Sequence, residues 1–202
     1  MKKLFFFITI LSLVACTMSF NKKEDSLIKD EITKVLFHAD SYDPVETILD
    51  SAFSPNDDPA LFEKMEKFAQ LAEELESLED KASNYRSTIS IWSGPYVDAY
   101  GKNEKAEAQT KLDKTNNEIE RLSSKVQKVA DEIKLMINSE KQFIGYKANH
   151  SYRGKNNAGS IVFGHTFFLF DEKMEKVLFF CDKEEYDQVQ EAIEIIKERI
   201  EE

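Results

Sequence analysis

The sequence predicts an α+β fold: a helix packed on a four-stranded antiparallel sheet, a long antiparallel helical hairpin inserted after the first strand, and a C-terminal helix. Three observations predict it. Two heptad runs of similar length, joined by a short break containing Gly and Pro, fill the middle of the chain. On either side of them apolar and polar residues alternate with the period of a strand. The chain then closes on an apolar stripe of helical spacing. Strands and helices segregated in this way define the α+β class.

Lys2 and Lys3 precede an apolar run, Leu4 to Val14, interrupted only by Thr9 and Ser12. The run is far shorter than the ~20 residues that span a hydrocarbon core, so residues 1–15 read as a signal peptide. It ends in Leu13-Val14-Ala15-Cys16, which resembles the lipobox of bacterial lipoproteins. The resemblance implies cleavage before Cys16, diacylglycerol on its sulfur and acylation of the new amine. Several acyl chains hold a protein on a bilayer effectively permanently. Thr17 stands where an aspartate would signal inner-membrane retention, so the resemblance favours the outer membrane. Residues 16–26 then form a lipidated tether.

Leu27, Ile28, Ile32, Val35 and Leu36 recur at helical spacing until Pro44 interrupts. Val45, Thr47, Leu49, Ser51 and Phe53 alternate with Glu46, Ile48, Asp50 and Ala52, which reads as a strand. Asp58 as N-cap and Pro59 at the first helical position start the hairpin, residues 58–138. In its first arm Leu61, Phe68, Leu75, Ala82 and Ile89 form one heptad row, and Leu71, Leu78, Tyr85 and Trp92 the other. After the break at Ser93–Lys102, Leu112, Ile119, Val126 and Ile133 form one row of the second arm, and Leu122, Val129 and Met136 the other. Each arm would be about 50 Å long. The alternative is an intermolecular coiled coil using the same rows.

Beyond Asn138 the period becomes two. Ile144, Tyr146, Ala148, His150 and Tyr152 form one face of a strand, and Lys147, Asn149, Ser151 and Arg153 the other. Gly154–Gly159 is a turn, Ser160–Phe170 a central strand apolar on both faces, and "DEKM" a second turn into Lys176–Cys181. Asp182 and Glu185 make a capping box for a last helix with Tyr186, Val189, Ile193, Ile196 and Ile200 as its buried stripe. The α+β core is therefore residues 27–57 and 139–202, and its element order resembles that of a cystatin-like fold.

The formal net charge of -11, more negative still without Lys2 and Lys3, argues against nucleic acid and against anionic membrane surfaces as partners. Cys181 has no second cysteine once Cys16 carries lipid, and in "VLFFCDK" it reads as a buried, inert thiol. Metal binding needs three or four converging ligands. His38, His150 and His165 occur in no H-x-H or H-E-x-x-H pattern, so no metal and no other cofactor is expected. No phosphate loop, nucleophile elbow or serine triad signature occurs, so no residue is assigned a catalytic role.

Three segments, SYDPVE (Ser41–Glu46), HSYRGKNNAGS (His150–Ser160) and FLFDEKMEKVL (Phe168–Leu178), resemble small uncharacterised lipoproteins of the Bacteroides type. The resemblance implies membership of an envelope lipoprotein family and carries no activity. Two candidate binding surfaces remain. Trp92, Tyr96 and Tyr100 crowd the hairpin break, where aromatic residues suit an interface or simply cap the seam. His150, Arg153, Lys155, Asn156 and Asn157 could cradle an anion, although Asn and Gly equally serve the turn itself. The expected function is a lipid-anchored, non-enzymatic interaction or spacing module, held to the membrane by its lipid and meeting an envelope protein partner through the hairpin. The alternative is a lipoprotein binding a small anion or glycan on the sheet face and the 150–159 turn.

Overall fold

A computed structural model of the chain describes residues 23–201. The signal peptide, Cys16 and Thr17 lie outside the described residues. Helix α1 (residues 23–35) leads through a 3-10 turn, Ala39–Ser41, into β1 (Asp43–Ser54). Helices α2 (Pro59–Ile91) and α3 (Ala99–Ile137) follow. Then come β2 (Gln142–Lys155), β3 (Ile161–Phe170), β4 (Val177–Asp182) and α4 (Lys183–Glu201). The four strands form one antiparallel sheet in the order β1-β2-β3-β4. This is the α+β architecture the sequence predicts. The chain divides into two compact units, Ala60–Asn138 and the sheet unit formed by the segments on either side of it.

In the sheet unit the pleat sends alternate residues to two covered faces. One face presents Ala148, Phe168 and Phe170 to Ile28 and Ile32 of α1, with Leu49, Tyr146 and Tyr152 at its margin. The other presents Phe167 to α4, where the Tyr186 ring stacks on it at 3.8 Å between centroids. Residues 23–26, inside the stretch expected as tether, are already helical, and Glu24 is buried there.

Two backbone features set the sheet's geometry. Gly145 has φ +142°, and a Cβ there would lie 2.0 Å from the carbonyl oxygen of Phe170, so only glycine lets β2 and β3 approach so closely. The β3–β4 turn turns inward: Met174 takes φ 54° and is fully buried in the α1 cluster. Asp171 closes that turn by accepting hydrogen bonds from the N–H groups of Glu175 (2.7 Å) and Lys176 (3.1 Å).

Strand β1 slips register between Pro44 and Glu46, which leaves Val45 without a partner in the register and exposed, and again between Ala52 and Phe53. Two expectations of burial change. In β3, Thr166 to Phe170 are buried, but Ile161, Val162 and Phe163 are exposed, so only one end of this strand is a central strand in the expected sense. Ile200 is exposed near the end of α4, while Tyr186 and Ile193 are buried.

Asp57, at the exit of β1, joins several pieces of the sheet unit. Its carboxylate accepts hydrogen bonds from the Phe53 N–H (2.8 Å), the Lys147 ammonium (2.9 and 3.1 Å) and the Tyr186 hydroxyl (2.8 Å). The neighbouring Asn56 accepts from Gln190 through its carbonyl oxygen (2.7 Å) and from Lys197 through its side chain (3.1 Å).

The second unit is a helical hairpin. Arg86 donates to Asn116 at 3.5 Å and Lys64 pairs with Glu132, contacts that run antiparallel along the two arms. Every predicted heptad position of α2 is buried or half-buried, while the carboxylates between them are exposed. In α3, Leu112, Leu122, Val129 and Ile133 are buried; Leu75 and Val126 are only half-buried, since two helices leave the flanks of a seam open. The second arm begins at Ala99, earlier than expected, because the Asp98 carboxylate caps it by accepting from the Gly101 N–H at 2.8 Å. Gly101, Ala108 and Thr115, all buried, extend the Leu122 row back to the turn.

Two outcomes follow from this packing. Val129→Asp places an unpaired charge in the seam and should cost about 2 kcal/mol or more, seen as a lower-melting phase in helical circular dichroism. Asp57→Ala strands the Lys147 ammonium and should destabilise the sheet unit by about 3–5 kcal/mol, measured by denaturant unfolding.

Candidate functional site

The hairpin turn, residues 92–98, is built on a close helix approach. A Cβ on Gly101 would sit 2.4 Å from the Trp92 ring, so the first turn of α3 lies directly against that indole. Trp92 therefore ends the seam, half-buried, with Tyr100 edge-to-face at 5.9 Å between centroids. The other two aromatic residues face solvent: Tyr96 is 98 % exposed and Tyr100 62 %. Ile91 beside them is 71 % exposed. The Tyr100 hydroxyl is acidified less readily than an ordinary phenol, because the Glu104 carboxylate lies next to it. The turn thus combines a fixed base of Trp92, Gly101 and Asp98 with an outward surface of Tyr96, Tyr100 and Ile91.

The second predicted cluster is divided by the pleat of β2. His150 faces α1 and is buried, with Nε2 2.9 Å from the Tyr42 hydroxyl and Nδ1 2.9 Å from Thr47 Oγ1. Its ring stacks on Tyr152 at 5.8 Å. Burial holds its pKa below 6.5, against the opposing charge of Asp25, so it is a neutral core residue. Arg153 points to the opposite face and pairs with Asp43 at 2.7 Å. Asn156 is occupied by the turn, its Oδ1 accepting from the N–H groups of Ala158 and Ser160, both at 3.0 Å. The Lys155 N–H donates to Ser41 Oγ at 2.7 Å. Beside them is an open hollow of about 190 Å³ in which Arg153 and Lys155 are accompanied by Asp40 and Asp43, so its charge is mixed.

On the same face as Arg153, Ser151 and His165 are cross-strand partners, with Oγ 2.9 Å from Nδ1. Register places Glu46 beside Ser151, away from the imidazole, so the row lacks the order of a relay that orients a histidine base. Cys181 is buried, and burial followed by the charge of Glu185 pushes its thiol up to about 12. Such a thiol carries no thiolate at neutral pH. Among the described residues no three His, Cys, Asp or Glu side chains converge as a metal set, and no helix is long and apolar enough to cross a membrane.

One buried acid was not anticipated. Glu24 continues the Ile28 and Ile32 stripe one turn toward the N-terminus, is 4 % exposed, and its Oε1 has no hydrogen-bond partner among the described residues. The i, i+4, i+8 spacing of Glu24, Ile28 and Ile32 was the available signal.

Comparison with protein-family models, curated proteins and solved structures finds no match to this chain.

Burial, and then the neighbouring charge of Asp25, raise the pKa of Glu24 from 4.5 to about 7. The folded chain holds this proton more tightly than the unfolded chain, so the stabilisation is complete below pH 4.5 and is lost as pH rises through 7. Glu24→Gln should therefore stabilise the protein by on the order of 2–3 kcal/mol at pH 8 relative to its effect at pH 4. Urea unfolding of both proteins at the two pH values measures the difference, and it cancels the opposite pH dependence of His150.

Proposed function

We propose that the chain is a lipid-anchored cell-envelope protein that acts without catalysis, as an interaction or spacing module working through its helical hairpin. The observation that carries this reading is the solvent-facing pair Tyr96 and Tyr100 on a turn otherwise held rigid by Trp92, Gly101 and Asp98. Exposed aromatic side chains on a preorganised support are typical of contact surfaces, because little order has to be imposed on binding. The anchor rests on Leu13-Val14-Ala15-Cys16 and on the three segments resembling Bacteroides-type lipoproteins. With Arg153 committed to Asp43, Asn156 to its own turn and His150 to the core, the 150–159 segment offers a weaker surface than the hairpin turn.

The anchor and the contact are tested separately. Cys16→Ala should leave the precursor uncleaved and without acyl label, while the wild type is cleaved, labelled and found in the detergent phase; aqueous partitioning of the wild type would overturn the anchor. Tyr96→Ser combined with Tyr100→Ser spares Trp92 and the seam. It should keep helical circular dichroism unchanged while abolishing retention of the unlipidated chain, residues 17–202, on envelope fractions. Full retention by this variant would remove the turn from the function.

A further inference from the structure

We propose that the hairpin turn seats in the lipid–water interface of a bilayer, with Tyr96, Tyr100 and Ile91 entering it. The inference rests on the reading of this turn as a contact surface and names the surface it meets.

The first support is charge. Charged residues make up 32 % of the chain, yet residues 87–97, STISIWSGPYV, contain none. Desolvating a charge is costly, and this segment has none to desolvate. The charges that flank it are of both signs, Arg86 before it and Asp98, Lys102, Glu104 and Lys105 after it, so no net charge opposes approach to a zwitterionic surface.

The second support is the chemistry of the exposed groups. Tyrosine joins an apolar ring to a polar tip, the combination that concentrates at membrane–water boundaries. Tyr96 and Tyr100 offer two such rings at one turn, and Ile91 adds a purely apolar side chain.

The third support is area. A large aromatic side chain buries about 150–250 Å², so two tyrosines and an isoleucine stay below the ~800 Å² each partner contributes to a standard protein interface. A bilayer demands no shape-matched partner, and its attraction grows with whatever apolar area enters it.

Trp92 is the single tryptophan of the chain and lies at the base of the turn, so its emission reports on this site alone. The full chain is titrated with phosphatidylcholine vesicles whose acyl chains are plain or brominated. Brominated vesicles should remove most of the Trp92 emission, and Tyr96→Ser should reduce that quenching several-fold. Binding through the N-terminal apolar run does not mimic this result, because no tryptophan lies there. The exposure of Tyr96 leaves the seam intact in the variant, which unchanged circular dichroism verifies. Trp92 emission that is indifferent to bromine overturns the lipid contact. A photo-crosslinking residue at position 96 in cells then separates the two readings. Crosslinking to one defined protein keeps the turn as a protein contact, and the proposed function with it. Crosslinking to nothing removes both.

Discussion

A buried carboxylate is tolerated only when hydrogen-bond donors replace the water it has lost. Asp57 is such a group, and its donors come from three places: the Phe53 N–H at the end of β1, the Lys147 ammonium in β2 and the Tyr186 hydroxyl in α4. One side chain therefore fixes the edge strand, its neighbour and the last helix together. The charge also pushes the Tyr186 hydroxyl, already raised by burial, further from ionising, so it remains a donor at any physiological pH. Tyr186 then transmits the constraint to the sheet through its stacked contact with Phe167. Gln190 and Lys197 repeat the attachment farther along α4, so the helix is held over the sheet at several points.

The elements were legible in the sequence wherever burial follows a period. Heptad rows marked both arms, and alternation in β2 placed Tyr146, Ala148, His150 and Tyr152 on one face. That same alternation already separated His150 from Arg153, although nearness in sequence suggested a shared cluster. The seam near the turn was hidden, because Gly101, Ala108 and Thr115 are buried for their smallness and give no apolar signal. The bare end of β3 was hidden for a different reason: an apolar strand reads the same whether or not anything covers it. Asp57, Lys147 and Tyr186 lie 90 and 129 residues from one another in pairs that no local motif links.

The hairpin keeps its seam and its contact surface apart. Along the arms, carboxylates occupy positions outside the seam and keep two long amphipathic helices solvated. In the first arm the charges cease after Arg86, the seam narrows to small residues against Trp92, and aromatic rings appear on the outside. Rigid support and exposed surface are thus assigned to different residues, Trp92 and Gly101 for the one and Tyr96 for the other. This separation makes the turn's surface chemistry open to change without loss of the helices beneath it.

Met174 gives the two turns of the sheet unit opposite fates. It sits in a loop by sequence and in the interior by location, beside Ile28, Ile32 and Phe170. Lengthening the β3–β4 turn by one residue would withdraw its side chain from that cluster and leave a hole beneath α1. Gly159, in the β2–β3 turn, has nothing within 4 Å of where a Cβ would be. Over evolutionary time one hairpin can lengthen and vary its tip, while the other is held to a single length by the methionine it keeps inside.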